Sequence, residues 1–89
     1  MERFRRDSRL PFQEIEGQAV IVVPARREVH QLDGVATFLW NLLAKEHSVA
    51  DLVEAVCGEF DVPPVQAERD VRAFLGVLGE KGLLGSQTG

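Results

Sequence analysis

The first patterned segment along the chain is Phe12, Gln13, Glu14 and Ile15, apolar at its two ends and polar between. Followed at once by turn residues, it predicts a strand over residues 12–16, and Glu16, Gly17 and Gln18 read as a tight reversal. Residues 19–23, Ala-Val-Ile-Val-Val, are the strongest strand signal, because β-branched side chains pack well on a pleated surface. Both faces of this segment are apolar, which predicts a central strand, and Pro24 ends it for want of a backbone donor. A third strand is predicted over residues 27–32, with faces Glu28, His30, Leu32 and Arg27, Val29, Gln31. Its polarity marks it as an edge, and meander order is the simplest arrangement.

After Asp33 and Gly34 the period changes to about 3.6. Asp33 is placed to cap a helix whose stripe is Val35, Phe38, Leu39, Leu42 and Leu43, with Trp40 off its centre. Ser48 with Asp51 three residues on forms a capping-box pattern. The helix it opens carries Val49, Leu52, Val53, Val56, Cys57 and Phe60 on one face. The pair Pro63 and Pro64 interrupts one helix and suits the start of the next. That third helix presents Ala67, Val71, Phe74, Leu75 and Leu78, and Gly82 suits a left-handed cap at its end. The expected class is therefore α+β: a three-stranded antiparallel sheet followed by three helices, winged helix-turn-helix-like, in two layers. Residues 1–11 read as a loosely attached basic arm, 12–84 as the domain and 85–89 as a loose tail.

Charge changes this picture in one respect. The chain of 89 residues has net charge −4, and seven acidic residues against Arg69 fall in residues 46–70, where two of the helices lie. A helix-turn-helix reader of DNA wants the opposite sign there. The arm carries Arg3, Arg5, Arg6 and Arg9 against Glu2 and Asp7. No apolar run has the length of a signal peptide or a membrane span, so a cytoplasmic location is expected.

Candidate chemistry is sparse. Cys57 is the only cysteine, which rules out an internal disulfide, and its apolar stripe suits a buried small side chain. His30 and His47 stand apart, on a strand and at a helix end, with no second ligand at a meaningful spacing. There is no HExxH, no CxxC and no phosphate-binding glycine loop. The acidic residues read as solvated helix positions. No cofactor and no enzymatic activity are expected. What remains is surface: an edge strand able to accept an extended peptide as a further strand. Arginines on the third helix, Arg69 and Arg72, with Lys81, read either as solvated or as a positive rim for an acidic peptide.

Three runs of residues carry a family resemblance. Leu32-Asp33-Gly34-Val35-Ala36 leads into Trp40-Asn41-Leu42-Leu43. Ser48-Val49-Ala50-Asp51-Leu52-Val53 follows, with Phe60. Asp70-Val71-Arg72-Ala73-Phe74-Leu75 then runs on to Gly82-Leu83-Leu84. In order and spacing they resemble the PqqD family of precursor-peptide recognition elements, over about residues 12–84. The resemblance implies a winged helix-turn-helix fold that binds the leader segment of a ribosomally made precursor peptide. It also implies delivery of that peptide to a modifying enzyme, such as a radical S-adenosylmethionine enzyme, a cyclase or a leader peptidase. Family branches serve coenzyme PQQ and lasso-peptide production, and nothing in the residues selects between them. The implied contacts are Arg27, Val29 and Gln31 on the third strand and Arg69, Val71, Arg72 and Leu75 on the third helix. Asp33 stands where the family commonly has Asn, and His30 where it has a bulky residue. Two other readings stay open: a winged-helix transcription regulator, and a homodimeric adaptor joined through the free strand edge.

Overall fold

In the computed structural model, which describes residues 2–85, the first reversal is made by two consecutive residues with positive φ, Glu16 (53°) and Gly17 (78°). Two left-handed residues match the twist of a two-residue hairpin. They join β1 (Phe12–Ile15) to β2 (Gln18–Val23), with Phe12 opposite Ile21 and Ile15 opposite Gln18. A 3-10 turn over Pro24–Arg26 then leads through Arg27, at φ 54°, into β3 (Glu28–Gln31). β3 pairs with β2, His30 opposite Ile21 and Val29 opposite Val22, so the sheet order is β1-β2-β3 with β2 central. The third strand starts one residue later than the sequence suggests, because Arg27 is taken into the left-handed end of the turn.

Three helices follow: α1 (Gly34–Leu42), α2 (Val49–Glu59) and α3 (Pro64–Lys81). Each boundary has a local cause. The Asp33 carboxylate accepts the Ala36 N–H at 2.9 Å. At α2, Ser48 Oγ accepts the Asp51 N–H while the Asp51 carboxylate accepts the Ser48 N–H, a complete capping box. Pro64 stands in the first turn of α3, and Gly82 closes it at φ 72°. The third helix runs the full length that the sequence pattern predicts.

One face of the sheet carries Ala19, Ile21 and Val23 into the core. They meet Leu39, Trp40 and Leu43 of α1 and its end, Leu52 and Val56 of α2, Ala67, Val71, Leu75 and Leu78 of α3, and Leu83. Burial of these apolar surfaces is the main force holding the two layers together. The opposite sheet face exposes Ile15, Val22 and Val29. Trp40 is fully buried, packed edge-to-face with Phe12 at 5.8 Å.

The N-terminal segment differs from its expectation as a loosely attached arm. Phe4 and His47 exchange two backbone hydrogen bonds, and the N–H groups of Arg6 and Asp7 donate to the carbonyls of Leu43 and Leu83. Gly85 N–H in turn donates to the Arg5 carbonyl at 2.8 Å. Phe4 and Leu10 pack on the core. The Arg6 guanidinium lies 4.5 Å from the Phe12 ring and 5.3 Å from Trp40, and it donates to the Trp40 carbonyl at 3.0 Å. These ties are mostly backbone to backbone, which leaves no periodic mark in the sequence. Of the expected loose tail, residues 86–89 lie outside the described residues.

Candidate functional site: the groove between β3 and α3

The hydrogen-bond register decides what the third strand offers. In an antiparallel pair, residues alternate between exchanging bonds with the partner strand and pointing their polar groups away from it. Leu32 N–H donates to the Ala19 carbonyl at 2.8 Å. With the pairing of β2 and β3, that places Leu32, His30 and Glu28 in the positions bonded to β2. Val29 and Gln31 fall in the alternate positions. Their N–H and C=O groups therefore point to the free edge, and they have no partner among the described residues.

Beside this edge lies an open trough of about 450 Å³ between β3 and α3. One wall is the strand from Val29 to Asp33. The other is the α3 flank of Ala73, Phe74, Val77 and Lys81, with Ala36 of α1 between them. Val77 is 43% exposed although it sits on a long helix beside a core. Phe74 is half-buried, touching the core and lining the trough. The site thus combines unpaired strand-edge groups with an apolar floor. Among the described residues no group of histidine, cysteine or carboxylate side chains could hold a metal ion.

The residues anticipated from the sequence divide into three groups. Val29 and Gln31 stand along the strand edge as expected, whereas Arg27 lies just before it in the left-handed end of the turn; Val29 is 64% exposed, and the Gln31 amide donates to Gln18 Oε1. Val71 (0% exposed) and Leu75 (6%) are turned into the core, so their side chains do not reach the trough. Arg69 and Arg72 lie on another flank of α3 with Val65 and Glu68, where Arg72 Nε donates to Glu68 Oε2 at 3.0 Å. At 100° per residue, Arg72 stands roughly 160° around the helix from Phe74. The trough flank was missed because Val71 and Leu75 are the more apolar positions and drew attention to the core stripe. Val77, apolar and outside that stripe, was the available signal.

His30 lines the trough from the core-facing side of β3, its Nε2 3.3 Å from Glu28 Oε1. Cys57 is partly buried and lines a separate depression between α2 and α3.

A sheet of three strands whose β3 edge is bare and is flanked by the last helix of a three-helix layer defines a winged-helix-type peptide-groove module. The chain belongs to the PqqD family, described as coenzyme PQQ synthesis protein D, whose pattern matches residues 18–84. Two solved structures are similar. TbiB1 in complex with the TbiA(beta) leader peptide is 28% identical, with TM-score 0.83 over 92% of this chain and 95% of that one. Lasso peptide synthetase B1 complexed with the leader peptide is 26% identical, with TM-score 0.81 over 93% and 98%. No curated protein matches the chain.

Proposed function

We propose that this chain binds the leader segment of a ribosomally synthesised precursor peptide and presents it to a modifying enzyme. The leader adds as a fourth strand to the free edge of β3 and rests its side chains on α3. The observation that carries this reading is the pair Val29 and Gln31, whose unbonded N–H and C=O groups stand beside the apolar floor of Ala36, Phe74 and Val77. The two similar structures, both leader-peptide complexes, support it. The proposed contacts are Arg27 just before the strand, Val29 and Gln31 on it, and Ala73, Phe74 and Val77 on the helix, with Val71 and Leu75 holding that helix from beneath. The chain does no chemistry of its own in this reading. Its second partner is the enzyme that processes the leader-bearing peptide, and both act in the cytoplasm. No helix among the described residues is long and apolar enough to cross a membrane.

Calorimetric titration with the leader of a precursor peptide encoded beside this chain's gene tests the proposal. Saturable one-to-one binding is expected, together with slowed amide exchange at Val29 and Gln31. Val29→Pro removes an edge donor and should abolish binding while circular dichroism shows the fold intact. Failure of the leader to bind the folded protein would overturn the proposal.

A further inference from the structure

The charges around the trough are sorted by end. α3 and β3 run in opposite directions along it. Arg26, just before β3, donates to the Glu80 carbonyl near the end of α3. Asp33, just beyond β3, lines an adjoining depression with Asp70, and the two depressions share Asp33, Ala36, Ala73 and Phe74. The trough is therefore continuous from Lys81, beside the start of β3 where Arg27 stands outside the lining, to Asp33 and Asp70 at the other end.

None of these four charges is neutralised by the chain. Arg27 and Lys81 make no ion pair among the described residues. Asp70 receives only the Gln66 amide, and Asp33 only the N–H of Ala36. At the basic end Arg26, Arg27 and Lys81 outnumber the acidic residues, which are Glu28, its carboxylate 3.3 Å from His30 Nε2, and Glu80. Asp70 and Lys81 are eleven helical positions apart, about 16 Å along α3. An extended strand covers that distance in about five residues.

We infer that the trough selects a peptide segment of asymmetric charge, with an acidic side chain at the Arg27–Lys81 end, a bulky apolar side chain over Phe74 and Val77, and a basic side chain about five residues away at the Asp33–Asp70 end. The inference rests on the peptide-binding reading above and adds the chemistry of the occupant. Strand addition alone is indifferent to sequence, since every residue offers the same backbone groups. Unpaired charges at the rim supply what the backbone lacks: they favour one polarity of segment and oppose the other.

Three fluorescein-labelled synthetic peptides of about ten residues test it. Each alternates threonine and valine around a central leucine. One has a glutamate pair at one end and a lysine pair at the other, one has glutamines at both ends, and one has lysines at both ends. By fluorescence anisotropy the first should bind about five-fold tighter than the glutamine control at low salt. That advantage should fade as added salt screens the rim. Lys81→Glu and Asp70→Lys should each remove it, and Lys81→Glu should newly favour the peptide with lysines at both ends. Equal affinity for all three peptides, or no binding by any, would overturn the inference. A leader that titrates normally against the wild type and is indifferent to Lys81→Glu and Asp70→Lys would overturn it too, and would leave the peptide-binding reading standing. A leader that does not bind the wild type sinks that reading itself.

Discussion

The hydroxyl of Thr37 accepts the backbone N–H of Ala19 at 2.8 Å and donates in turn to the Leu32 carbonyl at 3.2 Å. A side chain of α1 is thereby inserted into the last rung of the ladder between β2 and β3. It ties the end of the binding strand to the first helix in a buried setting. Thr37→Val keeps the shape but leaves two buried backbone groups without partners, at a cost of about 1–3 kcal/mol. Urea denaturation checks this, with Thr37→Ser, which retains the hydroxyl, expected to lose distinctly less.

Val77 separates binding from folding. It is exposed in the trough and lies off the core stripe. Val77→Asp should therefore leave stability within about 0.5 kcal/mol. Leader affinity should fall about ten-fold or more, because a carboxylate then occupies the apolar floor. Calorimetry on Val77→Asp and on Arg72→Ala tells the two flanks of α3 apart: only the first should weaken binding.

Arg6 acts as a clasp over Trp40. Its guanidinium stacks over both Phe12 and Trp40 and donates to the Trp40 carbonyl. Arg6→Ala is expected to cost about 1–3 kcal/mol through the lost charged hydrogen bond and ring contact. Trp40 is the only tryptophan, so a red shift of its emission reports the loosening directly.

The hairpin can be improved. Glu16 holds a left-handed conformation that suits Asn better than a longer side chain. Glu16→Asn should raise stability by about 0.5–1 kcal/mol, read from the denaturation midpoint.

Asp51 makes the start of α2 sensitive to acid. The Ser48 N–H bonded to its carboxylate, aided by its hydrogen bond with Ser48 and the nearby His47 and Arg3, holds its pKa below the usual carboxylate value. A depressed folded-state value means that the charged form stabilises the protein at pH above the unfolded pKa. That contribution is lost as pH falls through the folded one. The stability difference between wild type and Asp51→Ala should therefore shrink on acidification below the ordinary carboxylate range and be steady near neutrality. Denaturation curves over that range measure it.

The elements legible in the sequence are those with a local chemical cause. Asp33, the pair Ser48 and Asp51, the prolines at 63 and 64, and Gly82 each satisfy or forbid a backbone bond within a few residues of themselves. The edge strand was equally plain from the polarity of residues 27–32, one residue longer at each end than the strand observed. The trough's helical wall was harder to see. Which flank of α3 faces β3 depends on the crossing of helix and sheet, and a stripe of Val71 and Leu75 defines only the side turned to the core. The docking of the arm was hidden for a different reason. Its partners, Leu43, His47 and Leu83, contribute carbonyls that any residue would supply.

Within β3, Val29 and Gln31 are the residues that turn their backbone groups outward, and they are two positions apart. A peptide that slips by two residues along this edge keeps the same hydrogen bonds and the same side-chain faces, whereas a slip of one turns every side chain to the wrong face. The edge by itself fixes a peptide's phase and leaves its place undetermined. Where the peptide stops along β3 is then a matter for the side chains that meet Phe74 and Val77, which serve as the detent on an otherwise sliding rail.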